Sequence, residues 1–127
     1  MRVTITMALR SIRELELTVE LLARIGLEQA KRHHLPSLYG GRIHYQLEPF
    51  GVERWQTPLE TAALGYGDCE DLVGYRLYEL WRDRVPARCH IVQINPRLFH
   101  VLVRYPNGQI EDPSAKLGMP VPTRKAG

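Results

Sequence analysis

The sequence predicts an α+β domain, with helices in the first two-thirds and an antiparallel sheet in the last third. Three observations predict it. Apolar residues recur at helical spacing in two long stretches before Pro86. Beyond Pro86 the period changes to two, over Ala87–Ile94 and Phe99–Tyr105. Pro106-Asn107-Gly108 then makes a turn that folds the second strand back on a third, starting at Gln109–Glu111. Helices that precede strands, rather than alternate with them, point away from a parallel βαβ sheet.

Taken in order, Val3, Ile5 and Met7 alternate with Thr4 and Thr6 and predict a short strand. A broad apolar face, from Ile12 through Leu15, Val19 and Leu22 to Leu27, predicts a helix over about 11–33, with Gly26 as a break between two helical pieces. Pro36 and Gly40-Gly41 end it. Ile43, Tyr45 and Leu47 alternate with His44 and Gln46 as a strand, closed by Pro49 and Gly51. Thr57 as N-cap, Pro58 at the first helical position and Glu60 two further on start a helix of about two turns, stopped by Gly65 and Gly67. A second helix opens at Cys69 and runs to about Asp83, because Pro86 forbids further extension.

The chain has 127 residues, 44% hydrophobic and 24% charged, which fits one globular domain. Residues 1–119 are read as that domain and 120–127 as a flexible tail. The net charge of +3 is mild and spread along the chain, and Lys31-Arg32-His33-His34 suits a helix C-terminus, so no nucleic-acid partner is predicted. No apolar run approaches the ~18 residues of a membrane span, and Met1–Arg10 makes a poor signal peptide. Two cysteines, Cys69 and Cys89, make no disulfide scaffold; both are expected reduced, in a cytoplasmic compartment.

The stretch that carries chemistry is Gly65-Tyr66-Gly67-Asp68-Cys69-Glu70-Asp71. Asp68 is an N-cap residue and Asp71 stands where a capping-box carboxylate would. Cys69 is then the first helical residue, at the positive end of the helix dipole, which predicts a lowered thiol pKa and more of the nucleophilic thiolate. A base must reach the sulfur. His100, opening a strand directly after a turn, is the favoured one of five histidines, with His90 as the alternative; taken alone, a half-buried strand histidine is the plainer reading. Asp112 would hold the imidazole in one tautomer. With the hairpin centred between Asn107 and Gly108, Asp112 lies opposite Val103 and about 10 Å from His100, so a bulge or slipped register is required.

These segments resemble the bacterial transglutaminase-like cysteine proteinases. The resemblance rests on Trp55, Thr57-Pro58-Leu59-Glu60 and Gly65-Tyr66-Gly67-Asp68-Cys69-Glu70-Asp71, and less specifically on His100-Val101 and Asp112-Pro113, and covers about residues 45–118. It implies a papain-like core, a cysteine-bearing helix on a small antiparallel sheet, with Cys69 as nucleophile, His100 as base and later acid, and Asp112 as orienter. Small domains of this type also resemble proteins of phage gene clusters. The chain is short, with little beyond the core to build a specificity cleft.

One tension is visible in the sequence. Asp68, Glu70 and Asp71 surround a sulfur that should be anionic, and like charges raise a thiol's pKa. Capping, pairing with Arg76 or Arg54, or a calcium ion would offset them; some members of the resembled family bind calcium beside the cysteine. The chemistry expected is acyl transfer on a protein or peptide substrate, the oxyanion being held by the Cys69 N–H and a donor from Trp55 or Gln56. Hydrolysis is favoured, transamidation or deamidation is a variant, and a non-catalytic binding or structural module, such as a phage assembly component, is the alternative.

Overall fold

The computed structural model describes residues 11–47, 55–96 and 98–120. The expected strand at Val3–Met7, the turn at Pro49–Gly51 and all of the expected tail but Pro120 lie outside the described residues. The observed class is α+β. Helix α1 spans Ile12–Gln29, β1 His44–Tyr45, α2 Pro58–Leu64, β2 Tyr66–Gly67 and α3 Cys69–Arg82. They are followed by β3 Arg88–Asn95, β4 Leu98–Arg104, β5 Ile110–Glu111 and a short α4, Pro113–Lys116. No described helix is long and apolar enough to cross a membrane.

Ser11 starts α1 by accepting the Glu14 N–H. The expected break at Gly26 is absent: the helix runs through it and stops at Gln29. Gly26 serves close packing instead. A Cβ there would lie 2.4 Å from the Pro58 ring and 3.1 Å from Tyr78 Cβ, so only glycine lets α2 and α3 approach this closely. The apolar face of α1, including Val19, Leu22 and Ala23, packs on α3, whose Leu72, Val73, Tyr75 and Leu77 are fully buried. The sheet closes the core with Cys89, Ile91, Val101 and Val103. Glu20 ties α1 to the sheet: it accepts two bonds of 2.9 Å from Arg88 and one of 3.0 Å from the Cys89 N–H.

The strand expected over 43–47 is only two residues long. It pairs parallel with β2, His44 with Tyr66 and Tyr45 with Gly67. This small ladder holds the approach to Cys69. The main sheet is antiparallel in the order β3-β4-β5. Val103 pairs with Glu111, one residue out of the expected register with Asp112. The turn is a three-residue loop, Tyr105 N–H donating to Gln109 O at 2.8 Å, with Gly108 at φ 89°. A one-residue slip changes the face every side chain occupies. Asp112 therefore shares a face with Leu102 and His100 instead of with Val103.

Candidate active site

Cys69 stands where the sequence placed it, at the first position of α3. Asp68 and Asp71 form the full capping box: Asp68 Oδ1 accepts the Asp71 N–H at 3.4 Å and Asp71 Oδ2 accepts the Asp68 N–H at 3.2 Å. The second Asp71 oxygen accepts the Gln56 N–H at 2.9 Å, clamping the strand before α2 to the cysteine loop. Gly67 is the close-approach point, since a Cβ there would be 2.8 Å from Asp71 Cβ. Pro58 and Thr57 begin α2 as expected, Thr57 Oγ1 accepting the Glu60 N–H.

His100 and Asp112 come together. His100 Nε2 lies 2.8 Å from Asp112 Oδ2, with both side chains partly exposed. The corrected register makes them diagonal neighbours on one sheet face, within side-chain reach. Asp112 also caps α4, its other oxygen accepting the Ala115 N–H at 3.1 Å, which fixes the carboxylate's orientation. Helix α4 was not expected; Asp112-Pro113 is a helix start, not only a strand-ending turn. The backbone N–H of Val101, the residue after His100, lies close enough to the Cys69 thiol to favour its charged form. The thiol thus sits against the edge of β4 where the short β5 no longer covers it. His90 faces Leu102 across the ladder, away from this edge.

The thiol pKa is a correction. It was expected to be lowered, and it is raised well above the ordinary thiol value. Burial is the largest cause, followed by the negative charges of Glu70 and Asp68, and these outweigh the Val101 N–H. Glu70 is itself pushed well up, first by burial and then by a hydrogen bond and repulsion from Asp68. Asp71 is raised for the same two reasons, burial and Asp68. Asp68 and Asp71 spend oxygens on backbone N–H groups, and Glu70 hydrogen-bonds Asp68. Among the described residues no group of three or more His, Cys, Asp or Glu side chains could hold a metal ion.

Of the two oxyanion candidates, Gln56 is already committed. Its Nε2 donates to Thr61 Oγ1 at 3.1 Å and Tyr66 O at 2.9 Å, and its backbone N–H is held by Asp71. Trp55 is buried, and its indole N–H has no hydrogen-bond partner among the described residues.

Sequence reasoning missed two features. Tyr45 lies close enough to Cys69, Asp68 and Glu70 that burial, and then their charges, push its phenol up to about 12. Glu111, the residue before Asp112, is buried and receives hydrogen bonds from the Tyr39 and Tyr105 hydroxyls and from Arg76 Nε at 2.9 Å. The Arg76–Glu111 bond rivets α3 to the strand that leads into Asp112, and Arg76 also reaches Glu79 within α3 at 3.1 Å. Arg76 was expected to offset the cysteine-loop carboxylates and instead pairs here. A glutamate beside Asp112, 35 positions from the arginine it pairs with, carries no sequence signal of its own. No family model, curated protein or solved structure matches the chain.

Proposed function

We propose that this protein is a cysteine-dependent acyl-transfer enzyme, a peptidase or amide hydrolase working through Cys69, His100 and Asp112 on a papain-like core. The observation that carries the reading is the His100–Asp112 pair at 2.8 Å, with His100 next in sequence to Val101, whose N–H lies beside the Cys69 thiol. The resemblance of the cysteine segment to transglutaminase-like proteinases supports it.

Asp112 accepts the Nε2 proton, which leaves Nδ1 as the lone-pair nitrogen of a neutral ring. Because the resting thiol is protonated, His100 acts as general base during attack, not as partner of a preformed thiolate. The sulfur adds to the amide carbonyl while its proton passes to Nδ1. The oxyanion takes the Cys69 N–H, unpaired at the first helical turn, and the Trp55 indole N–H. His100 then protonates the leaving amine, and the C–N bond breaks to a thioester. Water gives a proton to His100 as it attacks the thioester, releasing a carboxylic acid and restoring the thiol. An amine in place of water would make the same site a transamidase.

The test is digestion of a mixed peptide library by the full chain, read by mass spectrometry. New peptide termini that disappear in Cys69→Ala and His100→Ala support the proposal. Termini that persist in Cys69→Ala overturn it. The raised pKa of the Cys69 thiol favours one other reading, a binding or structural module without turnover, of the kind used in phage assembly. That reading expects no cleavage by either protein.

A further inference from the structure

The molecule has a second concave feature far from Cys69. A cleft of about 480 Å³ opens at the other end of α3, between α1, the turn after α3 and the start of β3. Helix α3 has 14 residues, so the cleft lies roughly 20 Å from the cysteine. A smaller cleft of about 290 Å³ adjoins it, sharing Pro86 and Arg88 and ending on the β4–β5 hairpin.

The lining is unusual in charge. Arg24, Arg84 and Arg88 line the larger cleft and Arg88 and Arg104 the smaller, against one carboxylate, Glu20. Glu20 is taken by Arg88. None of Arg24, Arg84 and Arg104 pairs with a carboxylate among the described residues. Arg88 and Arg104 also face each other across β3 and β4, where like charges repel. Arg84 occupies a left-handed turn position at φ 65°, which favours glycine or asparagine. The floor is apolar, with Leu27, Trp81 and Val85.

We infer that this cleft docks an acidic segment, bearing apolar side chains, of a partner protein. The arginine forks pair with carboxylates, and the floor takes the aliphatic groups between them. Nucleic acid fits less well. Among the described residues the only aromatic ring in the larger cleft is Trp81; the Arg24 guanidinium lies over it, 5.5 Å from its centroid, and the Trp81 indole N–H donates to Ala87 O at 2.7 Å. One face of that ring is thus already taken by Arg24, which leaves less for a base to stack on.

The experiment is fluorescence anisotropy of a fluorescein-labelled peptide alternating glutamate and leucine, titrated with the full chain at low ionic strength. Saturable binding is expected. It should weaken at least about tenfold when glutamine replaces glutamate in the peptide, and again in the double variant R24E/R84E. Arg84→Gly, which relieves the left-handed backbone, should bind about threefold more weakly while its thermal midpoint does not fall, separating docking from folding. Cys69→Ala should bind as the wild type does, so this inference stands or falls apart from the catalytic proposal. Equal binding of both peptides, unchanged binding by R24E/R84E, or tighter binding of a thymidine oligonucleotide through the same arginines would overturn it.

Discussion

Arg76 is the cation on which the sheet-side half of the site rests, and its removal should produce a pH-dependent loss of stability. Its guanidinium bridges Glu111 at 2.9 Å and Glu79 at 3.1 Å, and both glutamate side chains are only 6% exposed. Arg76→Met keeps the aliphatic stem and deletes the charge. Breaking a buried pair costs about 3–5 kcal/mol, because a charge stays buried without its partner. Here Glu111 keeps Tyr39, Tyr105 and Lys116, and Glu79 keeps the Leu38 N–H at 2.8 Å, so the lower end, about 3 kcal/mol, is expected. For a chain of 127 residues that is a fall of roughly 10 °C in Tm. The sign with pH follows from Glu111. Burial would raise its carboxyl, but the Tyr105 and Tyr39 hydroxyls, then Arg76 and Lys116, hold it below the ordinary 4.5. A depressed carboxyl stabilises the fold above the unfolded value, and that stability is lost as pH falls through the folded one. The deficit of Arg76→Met is therefore greatest near neutral pH and closes as the pH falls through the lowered Glu111 value, below which the carboxyl is protonated in both proteins. Thermal unfolding by circular dichroism across that range reads it. A deficit of equal size at both ends would mean that Arg76 acts through packing alone, and no deficit would refute the network.

Gly26→Ala should destabilise by about 1–3 kcal/mol through overpacking against Pro58, although helix propensity alone would make it stabilising by about 1 kcal/mol; chemical denaturation decides the sign. Glu70→Gln removes the charge that ranks after burial in raising the Cys69 thiol, so Cys69 should react faster with iodoacetamide at any pH from 7 to about 9. The same variant should gain stability relative to wild type as pH rises, because a carboxyl raised by burial stabilises the fold only below its ordinary value; parallel melting curves at two pH values show whether it does.

What was legible in the sequence was local. Thr57-Pro58 and Asp68 with Asp71 begin helices because capping is written in residues one turn apart. The His100–Asp112 pairing was half legible. Reading Asn107-Gly108 as a two-residue turn centres the hairpin half a residue too late and puts Asp112 on the wrong face. The three-residue loop around Asn107 corrects the register and removes the need for a bulge. Gly26 looked like a helix break because its reason, the Pro58 ring, lies 32 positions away in the chain. The thiol pKa was misjudged because a helix start shows the dipole but not the depth of burial, nor Glu70's proximity to the sulfur. Net charge looked diffuse because Arg24, Arg84, Arg88 and Arg104 are scattered in sequence and gathered only by the fold.

The central claim is that His100 draws the proton from Cys69. The rate of Cys69 alkylation by iodoacetamide, followed by peptide mapping at neutral pH with Cys89 as internal reference, tests it in wild type, His100→Ala and Asp112→Ala. A fall of at least about tenfold at Cys69 in His100→Ala, a smaller fall in Asp112→Ala and no change at Cys89 are predicted. Equal Cys69 rates in all three proteins would contradict it.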